Sequence, residues 1–177
     1  MALEIERRFL VTDDGWRSHV TWEAELRHGY LLHREDGLTA RVRLRQGAKG
    51  DPGAWLTIKA MANDDAPSHA RLEFEYAIPV DDALALLKLT EWQVNKKRHG
   101  LRLPGGDWVL DVFSGHNAPL VIAEVELQHP EDTPSIPPWC GKEVTNLHKL
   151  SNAALAQHPL ERWSSEDLQA LWAIASS

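Results

Sequence analysis

Short stretches of this chain place apolar residues at every second position, the period of a β-strand, whose successive side chains point to opposite faces. Residues 3–11, 38–46, 55–60, 71–78, 92–103, 108–113 and 120–127 read as strands on this pattern, and 29–33 pairs with 38–46 around Glu35-Asp36-Gly37. Residues 47–53 form a second Gly/Pro/Asp turn, Pro79 ends a strand, and Pro104-Gly105-Gly106 turns the chain again. The polar stretch 12–25 reads as a loop or irregular helix, and 128–141, with four prolines, as an ordered loop without regular structure. Short helices are predicted over 81–89, 152–158 and 167–175, the last capped by Ser164 or Ser165. Roughly eight antiparallel strands with a few helices make a mainly β (α+β) domain, either a barrel or a sandwich. No internal repeat or low-complexity tract interrupts it, and the 177 residues form one domain, 1–177, with a helical tail from about residue 152.

The polar positions of these strands carry charge in same-sign sets two residues apart. The sets are Glu4/Glu6 followed by Arg8, Arg41/Arg43/Arg45, Glu73/Glu75, Lys96/Arg98 and Glu124/Glu126. Any one such strand is explained by a wet face and a core face. Solvent faces, however, ordinarily mix signs, and like charges about 7 Å apart on one face repel. A closed barrel is the alternative: apolar residues face outward under helices and the charges line the lumen. Interior charges are costly unless paired or liganded, so a metal–polyphosphate complex becomes the natural counter-charge. Glu4, Glu6, Glu124 and Glu126, with Asp111, offer an all-oxygen cluster suited to Mg²⁺ or Mn²⁺. The guanidinium forks of Arg43 and Arg45 match phosphate, and Lys59, Lys96 and Arg98 add positive charge.

Composition narrows this only at the edges. Apolar content of 43% and charged content of 25% are ordinary for a globular protein, and the net charge of −7 argues against nucleic acid as a partner. Cys140 is the single cysteine, which excludes an internal disulfide. With no apolar run of membrane-spanning length and no signal-peptide core at the N-terminus, no membrane is implied and a cytoplasmic location is expected. The nine histidines are scattered and read as surface or packing residues, His116 and His148 being the least improbable exceptions. Gly105-Gly106 lacks the strand–helix context of a phosphate loop. Trp163 and Trp172 read as helix-to-barrel packing or as the contact of a homodimer.

Glu4-Ile5-Glu6-Arg7-Arg8-Phe9 resembles the ExExK signature of the CYTH superfamily, the triphosphate tunnel metalloenzymes. The match continues in order through Gly29-Tyr30-Leu31, Arg43-Leu44-Arg45-Gln46, Leu56-Thr57-Ile58-Lys59, Arg71-Leu72-Glu73-Phe74-Glu75 and Lys96-Lys97-Arg98. It then runs through Leu110-Asp111-Val112-Phe113, Glu124-Val125-Glu126 and 139–145, covering the chain to about residue 155 and looking most like the short bacterial branch. The resemblance implies a closed eight-stranded antiparallel barrel forming a tunnel, with Mg²⁺- or Mn²⁺-dependent hydrolysis of a triphosphate, foremost inorganic tripolyphosphate. Thiamine triphosphatase, nucleoside triphosphatase, adenylate cyclase and a polyphosphate-binding protein with little turnover are the alternatives.

In that picture Glu4, Glu6, Asp111, Glu124 and Glu126 match metal-side acids. Arg8, Arg43, Arg45, Lys59, Lys96 and Arg98 match phosphate-binding residues, with Arg41 secondary and Arg8 and Lys96 the catalytic candidates. Glu73, Glu75 and Tyr30 match the tunnel wall. Two departures stand out. Arg8 replaces the usual lysine, and Leu150-Ser151-Asn152 stands where short members often carry Tyr-Lys-Asn.

Overall fold

The charged face of the alternating pattern is the inside of the molecule. A computed structural model describes residues 2–47, 52–62 and 70–175, so most of the turn expected over 47–53 lies outside the described residues. Its strands are β1 (Ala2–Val11), β2 (Val20–His33), β3 (Thr39–Gln46), β4 (Gly53–Met61), β5 (Ala70–Ile78), β6 (Gln93–Leu101), β7 (Asp107–Phe113), β8 (Val121–Glu126) and β9 (Cys140–Glu143). The helices are α1 (Val80–Leu87), α2 (Asn152–Gln157) and α3 (Ser165–Ala175). The strand order is β5-β4-β3-β2-β6-β7-β8-β1-β9, and a further β5–β1 pairing closes the first eight into an antiparallel barrel. Eight strands enclose a space just wide enough for side chains or one small ligand.

Strand β1 is the seam of this closure. One edge pairs with β8 from Glu6 to Leu10. The other pairs with β5 from Ala2 to Ile5 and then with β9, outside the barrel, at Phe9 and Val11.

Apolar side chains cover the barrel from outside and stop one end of it. Ile5, Phe9, Trp108, Leu110 and Val125 point outward under Trp16 and Trp139. Helix α1 lays Ala83 and Leu87 on Val42, Leu44 and Ala54. At one end, Leu10, Tyr30, Val94, Phe113 and Ile122 turn inward and join Leu150, Leu155, Ala156, Trp163 and Leu171. Trp172 packs against the same cluster, so both C-terminal tryptophans are helix-to-barrel contacts. Among the described residues no helix is long and apolar enough to cross a membrane.

Two sequence expectations need correction. The stretch 12–25 is a loop and irregular helix only in its first part, where a 3₁₀ turn at Gly15–His19 buries Trp16; from Val20 it is already strand β2. Its polarity is the reverse of the neighbouring strands. Ala24, Leu26 and His28 are buried, while Glu23, Glu25 and Arg27 are exposed, so its acidic pair belongs to solvent. The proline-rich stretch also ends in a short strand, β9, which pairs with β1 at Phe9 and Val11, and Arg7 binds Glu143 at 2.8 Å along that edge. Ser164 is the cap of α3, its hydroxyl accepting from the Asp167 N–H at 3.1 Å.

Candidate active site

Register brings the acids of β1, β8 and β7 into rows across neighbouring strands. Glu6 lies opposite Glu126, and Glu126 lies opposite Asp107. The next row holds Arg8, Glu124 and Val109. Strand β3 stands four places from β8 around the ring, so its Arg41 and Arg43 face Glu124 and Glu126 across the lumen. Between the two walls is a cavity of about 460 Å³. It is lined by Glu4, Glu6, Glu73, Glu75, Glu124, Glu126 and Asp107, by Arg41, Arg43, Lys59 and Arg98, and by His28, Asn152 and Val109. A smaller chamber of about 60 Å³ continues it past Glu6, Arg41, Lys59 and Asn152 to Arg8, Tyr30, Thr39, Arg71 and Ser151.

Several acids are already neutralised by the basic wall. Lys59 hydrogen-bonds Glu4 and lies 3.8 Å from Glu73. Arg43 donates to Glu75 at 2.9 Å, and the Thr57 hydroxyl donates to the same carboxylate at 3.0 Å. Burial, and then Arg41 beside it, lower the Arg43 pKa to about 10, which leaves it charged at neutral pH. Arg41 donates to Thr57 at 3.2 Å, and its Nε has no partner among the described residues. Arg45 lies further along β3 over the Trp55 ring at 4.9 Å, and neither chamber has it in its lining.

Behind one wall sits a buried ion cluster. Asp111 and Lys96 have no exposed side-chain surface and hydrogen-bond each other. Arg98 grips Asp111 with two bonds of 2.8 Å and reaches Glu124 at 3.1 Å. Burial works to raise the Asp111 pKa, but Arg98 and Lys96 outweigh it and hold the carboxyl well below its usual range. Burial lowers the Lys96 pKa to about 8, with Asp111 opposing. Lys96 also donates to Asn152 Oδ1 at 3.1 Å. Both Asp111 oxygens are thus engaged by cations, and neither Asp111 nor Lys96 lines a chamber.

Arg8 is 5% exposed, and one nitrogen of its guanidinium donates to the Leu150 carbonyl at 2.9 Å. Its Nε lies 3.6 Å from Glu124, and neither Nε nor the second terminal nitrogen has a hydrogen-bond partner among the described residues. Half the fork is therefore fixed and half is presented to the small chamber. The Leu150-Ser151-Asn152 segment reaches the site despite its departure from the usual residues. Ser151 caps α2 by accepting from the Ala154 N–H at 3.1 Å, and Asn152 lines both chambers.

The acidic row tests whether a hard cation fits. Glu6 and Glu126 receive no hydrogen bond or ion pair from the described residues around them, and they sit in register with a third acid. Burial, and then Glu4, Glu6 and Asp107, push the Glu126 pKa up. Oxygen donors carrying surplus negative charge suit Mg²⁺ or Mn²⁺. Among the described residues no three such side chains are gathered tightly enough to enclose an ion, since Glu4 is turned toward Lys59.

Asp107 and His28 line the main chamber, and the sequence pattern does not single them out. Asp107 shares the inward face with Asp111, but Val109 separates them and breaks the i, i+2 rule. His28 stands two residues before Tyr30 on the same face of β2, and that spacing is the available signal. Tyr30 both packs in the end cluster and lines the small chamber. His116 pairs with Glu161 at 2.7 Å on the surface, away from both chambers.

Comparison with known proteins agrees with this geometry. A family model for the CYTH domain matches residues 2–157. An inorganic triphosphatase of Acetivibrio thermocellus is 34% identical over 165 residues, 92% of this chain and 99% of that protein. One from Nitrosomonas europaea is 36% identical over 159 residues, covering 86% and 96%. A crystal structure of an inorganic triphosphatase, 35% identical and covering 86% of this chain and 96% of that one, superposes with a TM-score of 0.56.

Proposed function

Because this chain belongs to the CYTH domain family, we propose that it hydrolyses inorganic tripolyphosphate within the barrel lumen. The observation that carries the reading is the confrontation of two walls: the row Glu6–Glu126–Asp107 on one side, and Arg41, Arg43, Lys59 and Arg98 around it. Inorganic tripolyphosphate is favoured over a nucleotide or thiamine ester by what the wall lacks. The main chamber is lined by one apolar residue, Val109, and by no Phe, Tyr or Trp among the described residues, whereas organic ligands are usually held on apolar and aromatic surface.

Each wall has its part. Arg43, Arg41, Lys59 and Arg98 hold the phosphate chain, and Arg8 presents its free N–H groups to the phosphoryl group that reaches the small chamber. Glu6, Glu126 and Asp107 would hold the divalent cation, joined by Glu4 once it is drawn from Lys59, with Glu124 beside them. A cation bound there neutralises phosphoryl oxygens and lowers the pKa of water, and the metal dependence of the family makes Mg²⁺ or Mn²⁺ the expected ions. Asp111 acts as the fixed counter-charge that aims Arg98 and Lys96. Phosphoryl transfer asks chiefly for positioning and charge stabilisation, which rigid strands supply. Arginine at position 8 cannot act as a base, so its part is to bind and not to abstract a proton. The whole of 1–177 serves as one catalytic domain in this reading, in a cytoplasmic setting with which a single cysteine is consistent.

The test is phosphate release from tripolyphosphate, ATP, thiamine triphosphate and pyrophosphate, each with Mg²⁺ and with Mn²⁺, beside a Glu6→Gln variant. Metal-dependent release from tripolyphosphate, lost in the variant, is the expected result. Binding of tripolyphosphate without release from any substrate would overturn the assignment as a hydrolase.

A further inference from the structure

His28 is a neutral side chain placed where the wall is otherwise cationic. It is 1% exposed and lines the main chamber, and neither Nδ1 nor Nε2 has a hydrogen-bond partner among the described residues. Register sets it between Arg43 of β3 and Val94 of β6. Burial, followed by Arg41, Lys96, Arg43 and Arg98, holds its pKa well below the usual imidazole value, so the ring is uncharged at neutral pH. A buried polar ring without partners loses its hydration and gains nothing in return, and an apolar residue of similar size would serve the empty barrel better. Four cations around it disfavour a metal ion at this point and favour an anion.

We propose that His28 is a substrate-binding residue that donates a ring N–H to a phosphoryl oxygen of the bound triphosphate. The inference rests on the reading of the chamber as a triphosphate site. A neutral imidazole carries one donor and one acceptor. It therefore contributes a directed hydrogen bond to the polyanion without adding another charge to the repulsion among Arg41, Arg43, Lys96 and Arg98. Its unmet polar atoms in the free protein are satisfied when substrate enters.

The experiment is calorimetric titration of the metal-free, full-length protein with tripolyphosphate, comparing wild type, His28→Leu, His28→Gln and Arg43→Ala, with melting curves of each free protein. His28→Leu is expected to bind about ten- to a hundredfold more weakly, the range for a hydrogen bond to a charged group, while melting at or above the wild-type temperature. His28→Gln, which keeps a donor, should recover most of the affinity. Independently of any variant, the His28 ring N–H resonance of ¹⁵N-histidine-labelled wild type should move on addition of tripolyphosphate and stay in place on addition of chloride. Wild-type affinity in His28→Leu with loss in Arg43→Ala would overturn the role of His28 and leave the chamber's function standing. A wild-type protein that binds tripolyphosphate neither metal-free nor with Mg²⁺ would overturn both.

Discussion

Glu6 of β1 and Glu126 of β8 lie side by side in register on the lumen face, and neither is hydrogen-bonded to a cation among the described residues, Lys59 only partly offsetting the negative charge around Glu126. The raised pKa of Glu126 is the signature of that opposition, imposed by burial and then by Glu4, Glu6 and Asp107. A carboxyl raised above its unfolded value contributes most to stability below that value and loses the contribution as pH rises through the folded one. The metal-free wild type should therefore fall behind Glu126→Gln in melting temperature as pH climbs from about 4 toward 7, and the two should converge again in acid. Melting curves in EDTA across that window check it. In the same variant, activity with metal should drop by about a hundredfold or more, the size seen when a preorganised electrostatic contact is removed.

Asp111 answers the opposite way. It is fully buried between Lys96 and Arg98, so Asp111→Asn leaves two interior cations short of a counter-charge. A loss of about 3–5 kcal/mol is expected, as when one partner of a buried ion pair is removed. Because its folded pKa is depressed, its contribution is present at neutral pH and lost only as pH falls through that depressed value. Denaturant midpoints at pH 7 for wild type and variant measure the difference; equal midpoints would rule out Asp111 as the counter-charge that holds Lys96 and Arg98 in the wall.

For Arg8 the informative comparison is with the lysine of its relatives. Arg8→Lys keeps the charge but cannot both donate to the Leu150 carbonyl and offer a free fork to the small chamber. We expect Arg8→Lys to retain activity within about tenfold, and Arg8→Ala to lose about a hundredfold in kcat/KM. An Arg8→Lys enzyme faster than wild type at alkaline pH, where lysine deprotonates, would instead assign a base to this position.

Gly106, the residue before Asp107, makes the placement of that acid sensitive to a single added methyl group. A Cβ at this position would meet the Glu126 carbonyl oxygen at 2.5 Å, and its φ of 154° is rarely adopted by other residues. Gly106→Ala should push β7 away from Glu126 and lower activity together with stability. Asp107→Asn should lower activity while leaving the melting temperature of the metal-free protein unchanged or raised. Steady-state kinetics and melting curves on the two variants separate these outcomes.

The alternating period announced the strands because a barrel with charge inside still needs apolar residues outside. Glu4, Glu6, Arg43, Lys59 and Glu126 were legible for that reason, and all of them line the main chamber. What the pattern does not encode is which face is inward. Glu23 and Glu25 show the same i, i+2 acids as Glu4 and Glu6, yet they lie outside, where Lys97 meets Glu23 at 2.7 Å. Strand β2 was half lost for the same reason, its inward residues Ala24 and Leu26 being apolar. Asp107 and His28 each stand alone among uncharged inward neighbours, and only the register across β1, β8 and β7, or β3 and β2, gives them company. Asp111 was legible as an inward acid, but its engagement with Lys96 and Arg98 is a matter of side-chain geometry that no spacing records.

The seam at β1 has a consequence for how the chain acquires its chemistry. Glu4, Glu6 and Arg8 leave the ribosome before the other barrel strands, and their partners in β5, β8 and β9 come much later. Pairings so remote in sequence form slowly, because the loop they close must be ordered before any contact offsets that loss. Until the first strand meets the eighth, acids and arginines are scattered along an open ribbon with water between them. Catalytic competence should therefore emerge in one late step of folding, and a nascent chain stalled before β8 should bind neither metal nor phosphate.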